Sequence, residues 1–451
     1  MNIVVWLLAS AAVLSFYRKS PPLPARNAED PDVVGEIRRR KWAVFLSITF
    51  GYGFYYVCRL SFSVAKKPMA DAGIFDAAEM GVIGSALFFA YAFGKLANGI
   101  LADRVNVRKF MATGLFVSAM VNMLLGSTTA FWAFLILWGL NGWFQSFGAA
   151  SSVVSITHWY SGKERGTFYG MWASSHNLGE AITFVGTAFV ITSLGWMWGF
   201  RVAGILCLVV SLFIWRFLHE PPEVYGLPTV IHPPTPEEAA MSVGQKQWTV
   251  VTNPAVWILA LSSACFYVTR YAVNSWGIFF LEAEKGYTTM EASSIVSANA
   301  IAGIFGTFFS GILSDRFFKG QRNLPALVFG ILYAAATAIF VLGPADPVVD
   351  TVSMVLFGVA LGVLMVYLGG LMAVDICSKE VSGTVLGIVG LASYIGAGLQ
   401  DIISGWLIED GKTIVDGATV YNFDAAGTLW IGSAIVSLIL AGLVWNVRSP
   451  D

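Results

Sequence analysis

The chain has 451 residues, 56% of them hydrophobic and only 12% charged, with a net charge of −1. Soluble domains carry about 25% charged residues. The composition therefore excludes an ordinary water-soluble globule, and the balanced charge gives no positive field for nucleic acid.

A mean hydropathy of +0.69 points to a polytopic membrane protein. Residues 3–17, IVVWLLASAAVLSFY, are short for a span and lack both the basic start and the small-residue cleavage site of a signal peptide. A short interfacial helix or a misassigned start is the favoured reading, and a thirteenth span is the other. A spanning helix needs about 20 mostly apolar residues. Twelve stretches meet this: 42–65, 80–101, 109–127, 131–156, 168–193, 197–218, 255–281, 292–314, 324–343, 349–373, 384–407 and 426–447. Most connections are short, but residues 219–254 are Pro-rich and polar and split the spans six and six. The expected organisation is an N-terminal cytoplasmic or interfacial segment 1–41, a six-helix bundle 42–218, a cytoplasmic linker 219–254 and a second bundle 255–447.

Lys and Arg bias sets orientation. With residues 38–41 inside, thirteen basic residues fall in inner segments and four (Lys66, Lys67, Lys285 and Lys412) in outer ones. Both ends of the twelve-helix unit are thus expected in the cytoplasm, with the protein in the inner (plasma) membrane. Cys58, Cys207, Cys265 and Cys377 show no CxxC spacing. Three lie in apolar segments, where free cysteine is an ordinary small residue, so neither a disulfide framework nor a metal site is expected.

The two halves repeat. GILADRVNVRK at 99–109 returns as GILSDRFFKGQR at 311–322, YYVCR at 55–59 as FYVTR at 266–270, and KERGT at 163–167 as KEVSGT at 379–384. Asp103 and Asp315 are 212 positions apart, and Arg59 and Arg270 are 211 apart. Such a near-constant offset indicates a parallel duplication, as in transporters that rock two bundles about a central site. In the repeated loops Asp103 and Asp315 can face the positive end of a neighbouring helix. Arg104 and Arg316 stay in water or pair with carboxylates, and such contacts can latch one conformation.

A guanidinium within a span costs roughly 2.5–3.5 kcal/mol on insertion scales. Arg59 and Arg270 lie at equivalent places in the halves and can approach the pseudo-two-fold axis from opposite sides. Their repulsion becomes tolerable with an anion between them, and a guanidinium fork fits phosphate oxygens bidentately. Lys95 and His176 add cationic capacity within the spans, against two clear carboxylates, Glu180 and Asp401. Glu180 follows His176 by four residues, on the same helix face. Asp401 can balance a cation when no substrate is bound. Tyr52, Tyr56 and Arg59 share one face of the first span; Tyr267, Arg270 and Asn274 share one face of the seventh. Tyrosine hydroxyls beside an arginine suit a polar cavity.

The loop between the second and third spans resembles the signature loop of the major facilitator superfamily. With it, GYGFYYVCRLSF, YAFGKLANGILADRVNVRKF, NGWFQSFG, HWYSGKERGTFYGMWASSHNLG, PPEVYGLP, FYVTRYAVNSWG, GILSDRFFKGQRN and SGTVLGIVGLASYIGAG resemble the organophosphate–phosphate antiporter family of that superfamily. The likeness covers about residues 41 to 447. It implies an all-α membrane protein of two pseudo-symmetric six-helix bundles, with Arg59 and Arg270 clamping a phosphoryl group and Lys95 and His176 close by. It also places Tyr52, Tyr56, Trp143, Tyr267 and Tyr394 at cavity positions; for Trp143 and Tyr394 the likeness is most of the support. The chain departs from the family where helix 4 reads FGAASS and helix 10 reads LGVLMVYLGGL without proline, and where Glu180 replaces a common glycine.

The expected function is exchange of an organic phosphate ester, a sugar phosphate or glycerol 3-phosphate, for inorganic phosphate by alternating access. No cofactor, metal or enzymatic chemistry is expected, and no GxxxxGK[ST] loop marks an ATP-driven pump. The alternative is a transporter-like sensor of hexose phosphate acting with a membrane kinase. An anion or drug exporter of the wider superfamily ranks third.

Overall fold

The computed structural model describes residues 15–229, 248, 250–312, 323–372 and 382–444. Among these residues the helices are α1 (Pro31–Asp71), α2 (Ala77–Ala102), α3 (Val107–Leu125), α4 (Phe131–Trp159), α5 (Gly162–Ala173), α6 (Ser175–Leu194) and α7 (Trp196–Phe217) in the first half. The second half holds α8 (Pro254–Ala283), α9 (Thr289–Ile312), α10 (Asn323–Leu342), α11 (Pro347–Val366), α12 (Ser382–Asp410) and α13 (Asp424–Leu443). Helices α5 and α6 are one broken span, so twelve spans build the two-bundle fold. Ten of them are long and apolar enough to cross a membrane on composition alone. The other two, α3 and α4, bury Asn122, Asn141 and Gln145 between helices.

Local chemistry explains the ends. The first helix begins at Pro31, ahead of the apolar run, because Asp30 caps it and proline suits the first turn. A capping box, Asp76 with Glu79, starts α2. At the α2–α3 turn the cap of α3 comes from Asn106, whose side chain accepts from the Lys109 N–H. Asp103 and Arg104 are exposed there, and the Asp103 carbonyl accepts from Lys19. Asp315 and Arg316 lie outside the described residues, as do most of the linker and residues 3–14. Between α12 and α13 a small hairpin pairs β1 (Thr413–Val415) with β2 (Ala418–Val420). Its turn residues, Asp416 and Gly417, both have positive φ (51° and 80°), as an Asp-Gly hairpin turn requires.

The helices that lack family prolines differ from each other. The fourth span stays helical through FGAASS, and Ser152 and Ser155 return their hydroxyls to carbonyls four residues back, both at 2.8 Å. In the tenth span α11 gives way to a π-turn at Tyr367–Leu371. Such bulges bend helices without proline.

Helices cross most closely where glycine faces backbone. A Cβ on Gly179 of α6 would lie 2.3 Å from the Gly53 carbonyl of α1. Gly179→Ala should therefore push α6 off α1 and cost about 1–3 kcal/mol. Thermal unfolding in detergent checks this, and an unchanged midpoint would contradict it.

Candidate substrate site

Two buried arginines define the site. Arg59 is 4% exposed and Arg270 is fully buried. The residue just before each is tied by a polar contact to a neighbouring helix. Asn122 of α3 and Asn141 of α4 both donate to the Cys58 carbonyl, at 3.1 and 2.9 Å. Thr269 donates to the Trp430 carbonyl of α13 at 2.8 Å. Tyr55 adds a bond to the Met111 carbonyl at 2.7 Å. In an apolar bundle such contacts fix the rotation of α1 and α8, and so aim both arginines at the interface between halves.

The two guanidiniums are compensated differently. Arg270 pairs with Glu180 of α6 at 3.1 Å, both fully buried, and donates to the Met365 sulfur at 2.9 Å. Arg59 donates to the Tyr271 hydroxyl at 3.0 Å. Around it stand the rings of Tyr91 (4.5 Å), Tyr394 (5.3 Å), Tyr56 (5.5 Å), Tyr271 (5.6 Å) and Phe88 (5.7 Å). A cation–π contact contributes about 0.5–2 kcal/mol, whereas desolvating an ion costs several. Rings and one hydroxyl leave Arg59 undercompensated. Among the described residues no carboxylate reaches salt-bridge distance of Arg59 or Lys95. The site keeps a positive excess that suits an anion.

The other expected residues fall as follows. Lys95 on α2 is exposed, with its ammonium 5.6 Å from the Tyr394 ring. His176 is buried; its Nδ1 faces the Ala173 carbonyl and its ring lies 5.6 Å from Tyr56. Glu180 does not hold this histidine, despite their common face: among the described residues its ionic partner is Arg270, across the two halves. Tyr52 lies against Trp172 with ring centroids 4.9 Å apart and meets Tyr56 edge-on. Tyr267 and Tyr394 are ring neighbours at 5.4 Å. Trp143, 37% exposed on α4, makes no ring or cation contact with this group.

Asp401 does balance a cation, and that cation is Lys66. They pair at 3.2 Å, with side chains 1% and 0% exposed. Lys66 therefore does not belong to an outer loop: α1 continues to Asp71 and carries it into the bundle. Lys285, by contrast, stays in the connection between α8 and α9, with its side chain 5% exposed and 2.6 Å from Asp350. Sequence reasoning also missed Tyr91 and Tyr271. Tyr91 precedes Lys95 by one helical turn, Tyr271 follows Tyr267 by one, and Lys66 follows Arg59 by two, so helical spacing carried the signal for all three.

Glycines, two arginines in register and a two-bundle helical fold describe a membrane transporter rather than an enzyme. The Major Facilitator Superfamily sequence model matches residues 48–400. A bacterial homologue of the human lysosomal transporter Spinster, in its inward-facing unoccupied form, superposes with a TM-score of 0.70 at 17% identity, covering 90% of this chain and 95% of that one. The "Probable hexose phosphate transport protein" of Chlamydia pneumoniae is 35% identical over 401 residues, 84% of this chain and 87% of that protein. The "Membrane sensor protein UhpC" of Salmonella typhimurium is 33% identical over 393 residues, 82% of this chain and 86% of that protein. The chain belongs to the organophosphate–phosphate antiporter family of the major facilitator superfamily, and is a multi-pass membrane protein.

Proposed function

We propose that the protein exchanges an organic phosphate ester, a sugar phosphate or glycerol 3-phosphate, for inorganic phosphate across the inner membrane, with both ends of the twelve-helix unit cytoplasmic. The observation that carries this reading is the pair of buried arginines from equivalent positions of the two halves, of which only Arg270 has a carboxylate partner. The phosphoryl group binds between them and replaces Glu180 at Arg270, while Lys95, His176, Tyr52, Tyr56, Tyr267 and Tyr394 complete the cavity. Because Arg270 and Glu180 belong to opposite halves, binding reshapes an interhalf tie. Phosphate and ester gradients drive the cycle, and binding shifts the conformers by its differential affinity for them. Asp103, Arg104, Asp315 and Arg316 latch the inner side, and the linker 219–254 separates the rocking bundles.

Purified protein in vesicles loaded with unlabelled phosphate should take up labelled phosphate saturably, with competition by glucose 6-phosphate or glycerol 3-phosphate. The similarity to a named membrane sensor gives the second reading its footing. No exchange, with ester binding that still needs Arg59 and Arg270, would favour a sensor working with a membrane kinase and overturn the transporter.

A further inference from the structure

Arginines gather where α1 and α3 begin and α7 ends, at one end of the first bundle. Arg40 donates to His219 Nδ1 at 3.1 Å and lies 3.8 Å over the Tyr225 ring. The start of α3 and the end of α7 are tied through Phe16. Its carbonyl accepts from Lys109 at 2.8 Å, and its ring stacks on Trp215 at 5.7 Å. This brings Arg108 and Arg216, the chain neighbours of Lys109 and Trp215, to the same corner. Burial and the charges of Arg40, Arg108, Arg216 and Arg39 push the His219 ring down to about 4. Four arginines from three helices thus act on one neutral imidazole.

Carboxylates answer only part of this charge. Glu36 pairs with Arg26 and Arg40, both at 2.7 Å, and the buried Glu220 accepts from Ser20 at 2.9 Å. Among the described residues no carboxylate lies within salt-bridge distance of Arg39, Arg108 or Arg216. The Arg108 Nε is buried and has no hydrogen-bond partner. A buried donor without an acceptor is costly. Trp42, Trp215 and Phe217, on the same ends of α1 and α7, are exposed. Exposed aromatic rings at the ends of spans sit at the level of lipid headgroups, where basic pockets between helices hold anionic lipids. We infer that Arg39, Arg108 and Arg216 form a site for the phosphate of an anionic phospholipid. Guanidinium forks match phosphate oxygens, and the exposed rings meet the upper acyl chains. Free phosphate shares the anionic chemistry but has nothing to cover those rings. The site is separate from the substrate clamp: Arg39 precedes Arg59 by 20 residues of one helix, about 30 Å. The bound headgroup fastens the ends of three helices beside the start of the linker.

Thermal unfolding of the purified full chain in an uncharged detergent tests this, through the concentration of dioctanoyl phosphatidylglycerol that gives half its stabilisation. Dioctanoyl phosphatidylcholine, whose headgroup is neutral overall, should stabilise far less. Arg108→Gln/Arg216→Gln should raise the half-effect concentration roughly tenfold or more, the size of one lost hydrogen bond to a charged group. Arg18→Gln/Arg38→Gln removes as much charge from exposed positions outside the cluster and should leave that concentration nearly unchanged. Arg216 is exposed, so Arg216→Gln alone carries the test, with a smaller rise, if the double variant does not fold. Equal stabilisation by the two lipids, or equal losses in the cluster and control variants, would overturn the site and leave only a general surface field. Displacement of phosphatidylglycerol by inorganic phosphate at matched ionic strength would make the cluster a free-anion site and overturn the lipid. The readout involves no exchange, so a failure of the proposed transport would leave this result standing.

Discussion

Replacing Arg270 by glutamine should destabilise the protein by about 3–5 kcal/mol, because it strands Glu180 as an unpaired buried charge. The double variant Arg270→Gln/Glu180→Gln removes both charges and should regain most of that loss. Phosphate exchange should stay absent in both, since the recovery restores packing and not the clamp. Glu180→Gln alone should have a different signature: Arg270 loses its internal competitor, so phosphate should bind more tightly and exchange should slow at release. Thermal unfolding in detergent and vesicle exchange separate these effects. A single variant as stable as the unaltered protein would mean that the buried pair does not form. Exchange by the double variant would mean that Arg270 does not hold the phosphoryl group.

Arg59→Lys keeps the charge and loses the fork. The surrounding rings and the Tyr271 hydroxyl lie where a planar guanidinium can reach several partners at once. A point-charge ammonium cannot grip two phosphate oxygens and Tyr271 together. One charge-assisted hydrogen bond contributes about 1.5–3 kcal/mol, so kcat/KM for exchange should fall roughly 10- to 100-fold. Stability should change little, because no carboxylate is left unpaired. A lysine variant with unaltered exchange would show that Arg59 supplies only a field.

The twelve spans were legible because apolar length is a strong signal in lipid, and the arginine pair because the duplication printed it twice. What was not legible depended on distance in the chain. That Glu180 meets Arg270, and Asp401 meets Lys66, follows from how α6 and α12 pack against the other half. No local pattern records it. Lys66 looked peripheral because Lys67 and Pro68 follow it, as at the end of a span. Its spacing from Arg59 was the better guide, since helix geometry keeps such residues on one face whatever their neighbours. The extra helical turns of α1 were announced by Asp30 and Pro31, and the hairpin by Asp416 and Gly417, but both lie outside the apolar runs that dominate a membrane reading.

The central claim is that one phosphoryl group lies between Arg59 and Arg270. A structure of the protein with glucose 6-phosphate bound tests it most directly. The account predicts phosphoryl oxygens within hydrogen-bonding reach of both guanidiniums, with the Glu180 carboxylate moved off Arg270. An ester held elsewhere, with the Arg270–Glu180 pair intact, would contradict it.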